Sequence, residues 1–431
     1  MALICCLIFI YFCLYSNSHL HRAILIYGPL SILSQPYMCL RYNSPAILLS
    51  FMIELVLLLL YYRKNKKFYI AKFPLKRPFI FIFIIQIIGT IVSPLGIMGT
   101  VPNVIFKSVS YLYIIIFFNE LTTLLDMKLA IKSLLITACI LGIYAIYEFI
   151  IQANPIMSYI SASLPPEVLD GKLYYTEGLE RFFSIRGQSL LTICISWGGF
   201  CCMIIAILFY LKGTKILRIN NIAIFLLMLL FSFFILITGT RSAYLFLIFV
   251  FLGGFKTLNK FNQFLFTIII AIFSAVFIDN LLQIVTSFNS DSGLTGSSID
   301  MRMMQFEAVM NVITESPICG LGIKGYTVAR DIDADILGAE SIWMQTLITS
   351  GFLGIVCQLY LYYCLLKYIN HNTNAVNKRL LIMVTLGWIA FCSLTTSPGL
   401  NETYFILIIL LMCKLETNKK YNENICLYSC I

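Results

Sequence analysis

Long apolar runs separated by short gaps that carry the basic residues dominate this chain, and that alternation leaves little choice of fold. A membrane span needs ~20 mostly apolar residues, with ~17 as the usual lower limit. Runs of this kind lie near 2–16, 45–62, 78–97, 103–124, 129–151, 189–211, 221–238, 242–255, 263–281, 342–366, 380–395 and 402–415, of which the first, eighth, eleventh and twelfth are short. A soluble globule would need polar surface that is missing here, since 60% of the residues are apolar and only 12% charged. The expected fold class is all-α: a polytopic transmembrane helical bundle of about 12 spans, forming a single integral membrane domain over residues 1–431 with two larger periplasmic loops. The N-terminal stretch MALICCLIFIYFCLY has neither a basic leader region nor a small-residue cleavage site, so it is predicted to be the first, rather short, membrane helix.

The distribution of charge sets the phase of the spans. Arg63, Lys64, Lys66, Lys67, Lys72, Lys76 and Arg77 crowd the gap after the second run, and the positive-inside rule puts that gap in the cytoplasm. Lys128 and Lys132, Lys212, Lys215 and Arg218, Lys256 and Lys260, Lys367, Lys378 and Arg379, and Lys414, Lys419 and Lys420 then fall on the same side. Both termini are expected there, in a multi-pass protein of the bacterial inner (cytoplasmic) membrane. The remaining basic residues differ in kind: seven of these ten are arginine (Arg22, Arg41, Arg181, Arg186, Arg241, Arg302 and Arg330), against four of twenty inside. Lysine suffices to attract anionic headgroups, whereas a planar guanidinium matches phosphate oxygens with two bonds, so an arginine-biased outer face points to a phosphate-bearing ligand. The plainer alternative is pairing with acidic residues of the same loops. Nothing in this pattern suits nucleic acid. Cysteine is frequent, but most of the fifteen lie inside apolar runs with no C-x-x-C spacing and are read as small hydrophobes.

Two outer loops, 152–188 and 282–341, are long enough to hold structure of their own. In the second, Ser298 is placed to cap a short amphipathic helix whose apolar positions Ile299, Met303, Phe306, Met310 and Ile313 recur at spacings of three and four, with Arg302 and Gln305 on or near the opposite face. Pro317 and Gly320 end it. No internal repeat or low-complexity tract interrupts the chain.

Three stretches carry chemistry. The run Gly320-Leu321-Gly322-Ile323-Lys324-Gly325 matches the dinucleotide fingerprint letter for letter, but it follows a helix and a proline instead of a strand, so its glycines are read as tight turns or a backbone approach to an anion. Thr238-Gly239-Thr240-Arg241 is a polar break between two strongly apolar runs. The hairpin it implies holds Arg241 at the membrane edge, where a charge is expensive and by default marks a site, unless it merely snorkels to headgroups. Gly338 to Leu347 leads into the tenth run. There Glu340 sits at a loop-to-membrane junction that suits a general base, or else simply favours the start of a helix. Asp331, Asp333 and Asp335 alternate in the outer loop and are read as solvation, so no metal or cofactor is called for.

Taken together these stretches resemble the O-antigen polymerase and O-antigen ligase family of membrane glycosyltransferases. Thr238 to Arg241 matches the family's T-G-[ST]-R turn. Arg302 through Pro317, Gly320 and Gly322 matches its arginine-headed outer helix ending in P-x-x-G-x-G, and Ser350-Gly351-Phe352-Leu353-Gly354 resembles the step that follows. The resemblance covers roughly residues 190–395. One departure is informative: Glu340 stands near where ligase-like members carry histidine, which favours the polymerase.

The resemblance implies a metal-independent transfer of a glycan chain from undecaprenyl diphosphate to another lipid-linked repeat unit at the periplasmic face. Its partners would be that lipid-linked oligosaccharide, the bilayer and a chain-length regulator. Arg241 and Arg302, with Arg186 and Arg181, would bind the diphosphate, and Glu340 would deprotonate the acceptor hydroxyl; Glu340, Arg241 and Arg302 are the catalytic candidates. The competing readings are the ligase and a flippase or transporter of the same lipid. Against a carrier stand the absence of paired repeats and the placing of Glu54, Glu120 and Glu148 toward span ends.

Overall fold

The computed structural model describes residues 2–41, 47–163, 186–214, 216–217, 219–258, 260, 263–264, 267–268, 299–314, 316–332, 336, 341–395 and 401–428. The helices are α1 (Ala2–Leu30), α2 (Leu49–Asn65), α3 (Lys76–Val92), α4 (Gly96–Glu120), α5 (Leu124–Ile151), α6 (Pro155–Ser163), α7 (Cys194–Thr214), α8 (Asn221–Thr238) and α9 (Arg241–Gly254). They continue with α10 (Ile299–Ile313), α11 (Gly325–Ile332), α12 (Ile342–Asn372), α13 (Ala375–Ser393) and α14 (Asn401–Tyr428). One small antiparallel pair, β1 (Cys39–Arg41) with β2 (Ile47–Leu48), leads into α2. The fold is thus the expected all-α polytopic bundle, and every apolar run except the ninth, most of which lies outside the described residues, falls on one of these helices. Seven of the described helical segments are long and apolar enough to cross a membrane.

At the centre stands α7, buried without interruption from Ser196 to Leu211 and enclosed by α8, α9, α13 and α14. Lipid tails are as apolar as leucine, so close packing has to hold such helices together where the hydrophobic effect cannot. Trp388 of α13 stacks on Phe405 of α14 at 4.5 Å, with the rings within 4° of parallel. Gly253 lies so close to α13 that an added Cβ would stand 3.0 Å from the Leu380 Cα. The cysteines of this core, Cys201, Cys202, Cys392 and Cys413, are buried free thiols, as a small hydrophobe would be.

The two ends of the bundle differ. One collects lysines at the close of α2 and the start of α3, where Lys67 and Lys72 lie over Tyr69. It also holds the α4–α5 turn, with Thr123 and Asp126 in a capping box. The other end carries the breaks after α3, α5, α8 and α13, together with α10 and α11, and is called the arginine end below.

The N-terminus departs from expectation. In an uninterrupted helix Phe12 and Tyr27 would stand ~22 Å apart, yet their rings meet at 5.5 Å. The chain turns back at His19, whose φ of −132° and ψ of 48° are not helical. His21 then bridges Glu120 and Asp126 at the lysine end, with Nε2 2.8 Å from the Asp126 carboxylate. Arg22 therefore belongs to that end and not to an outer loop. The first half of α1 therefore runs back along the second, and its Cys5 is buried in the core. The start of α1 thus lies toward the arginine end. Residues 20–33 are too short and too interrupted by Gly28 and Pro29 to register as a span by length alone.

Candidate functional site

At the arginine end, three separate segments bring arginines toward the ends of α8, α9 and α13. The first is the stretch that returns the chain from the outer loop into α7. Its backbone is pinned by a buried carboxylate: Glu148 of α5, 1% exposed, accepts from the backbone N–H of Ser189 at 2.7 Å and of Gln188 at 3.2 Å, and from the Asn154 amide at 2.8 Å. Gln35 accepts from the Thr192 N–H at 3.1 Å, and Tyr37 donates to the Leu190 carbonyl at 2.6 Å. Gly187 N–H bonds the Ile237 carbonyl at 3.1 Å, and the Arg186 Nε donates to the Thr238 carbonyl at 3.1 Å. Arg186 is thereby fixed on the Thr238–Arg241 turn.

That turn is built by its own side chains. Gly239 closes α8 with φ 58°, its N–H on the Leu236 carbonyl at 2.9 Å, and the Thr238 hydroxyl accepts the Thr240 N–H at 3.2 Å. Arg241 opens α9 and is half-buried. A cation in the first turn of a helix opposes the macrodipole, so this position is unfavourable for local structure.

The third arginine arrives from α10. Arg302 is half-buried, and its Nη2 donates to the Leu394 carbonyl at 3.4 Å. The antiparallel register of α9 and α13, with Phe246 against Trp388 at 6.1 Å and against Phe391 at 5.8 Å, brings the level of Arg241 to the end of α13, beside Leu394. Arg186, Arg241 and Arg302 thus come to one end of the bundle from three different segments. Arg181 and Glu340 lie outside the described residues, as do most of the outer loops. The helix that Glu340 precedes begins at Ile342, capped by Ser341.

The helix predicted from Ile299 is present as α10, and its predicted apolar stripe is divided. Ile313 is buried with Ala308, Val309 and Val312 in a cluster that includes Leu347 and Ile348 of α12, and Met310 packs against that cluster, whereas Met303 and Phe306 are exposed. Gln305, expected near the opposite face, is buried, and Arg302 is half-buried.

The glycine run after α10 is a joint. Gly320 and Gly322 adopt φ of 68° and 81°. The Leu321 N–H bonds the Ile348 carbonyl at 2.7 Å, and the Ile323 N–H bonds the Gly89 carbonyl at 3.1 Å. In α12 the helix is broken at Gly351 (φ 61°, ψ −161°), and the freed N–H groups of Phe352 and Leu353 are taken up by the carbonyls of Pro317 and Ile318 at 2.9 and 3.1 Å. The run therefore makes tight turns against other backbone and has no dinucleotide context.

Sequence reasoning missed a second polar region. A cavity of about 400 Å³ lies between α2, α3, α4, α12 and α14. Lys107 of α4, an exposed side chain, lines this cavity, and Glu402 of α14 is near enough to interact with it electrostatically. Glu402 also accepts from Gln358 and, at 3.4 Å, from the Tyr362 hydroxyl. Tyr362 packs on Trp343 at 6.4 Å, whose Nε1 donates to Ser393 at 2.7 Å, next to the Leu394 that meets Arg302. The available signal was an ionisable residue inside an apolar run: Lys107 and Glu402 each break one.

The fold defines a multi-pass helical membrane protein. Residues 223–359, from α8 into the first half of α12, match the family model described as O-Antigen ligase, which covers about a third of the chain. The match supports the O-antigen polymerase and ligase family and does not separate the two activities. No curated protein matches the chain.

Proposed function

We propose that this chain is an O-antigen polymerase, transferring a glycan from an undecaprenyl-diphosphate carrier onto a sugar hydroxyl of another lipid-linked repeat unit, with the arginine end facing the periplasm. The convergence of Arg186, Arg241 and Arg302 carries this reading. As the bond between the sugar C1 and the diphosphate oxygen breaks, its electron pair leaves with the diphosphate, and guanidinium groups already fixed at a water-poor interface stabilise that charge. The acceptor oxygen bonds to C1 as its proton passes to Glu340. Arg181 would join the same diphosphate contacts. No step in this scheme calls for a metal ion or cofactor.

The orientation follows from the lysines: a lysine-rich end suits the cytoplasmic face of a bacterial inner membrane. A chain-length regulator would be a further partner. The ligase reading differs only in acceptor, and the flippase reading is disfavoured because the arginines cluster at one end and not about the midplane.

The banding of lipopolysaccharide in a deletion strain, with and without the gene restored, tests all three. Loss of a polymerase leaves a single capped repeat. A core without any repeat would instead indicate a ligase or flippase and overturn the proposal.

A further inference from the structure

The cavity on the other side of α12 from the arginines is unexplained by diphosphate chemistry. We infer that it is a saccharide-binding site that holds the sugar end of the acceptor; the acceptor role rests on the polymerase reading above, while saccharide binding itself can be measured without it.

Polar side chains inside a membrane bundle are costly unless they are satisfied or used. Here Gln86, Ser110, Gln345, Thr349 and Gln358 converge on one space from three helices, with Lys107 and Glu402 beside them. Among the described residues the Gln86 amide oxygen has no partner, although the residue is only 8% exposed. It can accept a hydrogen bond from a ligand hydroxyl. The apolar part of the lining includes Phe51 and Phe106, packed edge to face at 4.5 Å. Amides and hydroxyls beside an aromatic wall match a sugar ring, which has hydroxyls on its rim and C–H groups on its faces. The volume lies within the range of small-molecule sites, roughly 300–1,000 Å³.

The same lining argues against a phosphate. Lys107 is the one cation among the described residues that line it, and Glu402 would repel an anion placed beside that lysine. The ligand is therefore uncharged, and the charged end of the lipid-linked substrate is left to the arginines. The cavity is walled in part by the first turns of α2, α12 and α14. Its wall at Thr349, Ser350 and Gly354 flanks the break at Gly351, onto which the α10 segment is docked.

The test uses the full chain in a detergent without a sugar headgroup. The probe is the phosphate-free oligosaccharide released by mild acid from lipid-linked repeats of cells lacking this chain. The wild type should bind it saturably, and Gln86→Met and Thr349→Val should each weaken binding by about tenfold, the scale of one lost hydrogen bond to a buried polar group. Gln86→Met should also leave the melting temperature unchanged or raised, because it removes an amide oxygen that has no partner; a merely structural glutamine would show the reverse. Absence of saturable binding by the wild type, or wild-type affinity in both variants, overturns the site. Polymer ladders from cells carrying Arg241→Lys separate this inference from the one before it. Wild-type ladders there, together with lost binding in the cavity variants, would remove Arg241 from the diphosphate contacts and leave the saccharide site.

Discussion

The Glu148 carboxylate holds the backbone N–H of Ser189 at 2.7 Å inside the bundle, three residues from the arginine that lies on the Thr238 carbonyl. A single buried acid on α5 thereby sets the path on which Arg186 is delivered to the Thr238–Arg241 turn. Replacing Glu148 with Gln keeps the shape but turns an N–H donor toward one of the two backbone N–H groups it now accepts. Polymer made by Glu148→Gln should fall by roughly tenfold or more, and the protein should melt lower, since a buried donor left without an acceptor costs about 1–3 kcal/mol. Thermal unfolding of the purified chain and ladder intensity in cells check both parts; a normal ladder would show that the position of Arg186 does not matter.

Arg241→Lys tests the diphosphate assignment. Lysine keeps the charge and the stem but offers a point ammonium instead of a planar fork. Loss of one fixed donor to developing negative charge typically costs about 10²- to 10³-fold in rate, so the ladder should collapse toward a single repeat while protein abundance in the membrane is unchanged. A ladder of wild-type length would remove Arg241 from the site.

Gly351→Ala tests the joint between α10 and α12. Its φ of 61° with ψ of −161° belongs to a region open essentially to glycine. A Cβ there would also run into the Pro317 and Ile318 carbonyls. Strain alone is worth about 1–3 kcal/mol, and the clash adds to it. The variant is expected to melt well below wild type and to be poorly retained in the membrane; an unchanged melting curve would mean that the break is not a fixed feature.

Topology can be measured directly. A cysteine at Gln152 should react with a membrane-impermeant maleimide in intact cells, whereas one at Lys66 should react only after permeabilisation. An epitope joined to the N-terminus should be reached from outside, because the chain reverses at His19. Labelling of the Lys66 position from outside would invert the bundle and with it the periplasmic assignment.

The span pattern, the Thr238–Arg241 turn and the outer helix with its glycine joint were all legible in the sequence, because each rests on local periodicity or on residues with restricted backbone preferences. The reversal at His19 was not: Ser16 to Arg22 reads as a polar loop, and the short segment after it contains Gly28 and Pro29. Which part of the α10 stripe packs was illegible for a different reason. Ile299, Met303 and Phe306 make as good a stripe as Gln305, Val309 and Val312, and only the packing against Leu347 and Ile348 decides between them. The cavity was invisible because Gln86, Lys107 and Glu402 each stand alone in a different apolar run. Their meeting is a property of helix packing that periodicity does not encode.

The carbonyls of Pro317 and Ile318 accept the N–H groups of Phe352 and Leu353, which open the long helical segment that follows Gly351. A segment that looks like a detachable extramembrane insert is thus, in backbone terms, part of the spanning structure. Chimaeras that exchange this insert between related enzymes should carry residues 316–325 and 348–354 as one module, since cutting between them would leave bare amides facing hydrocarbon.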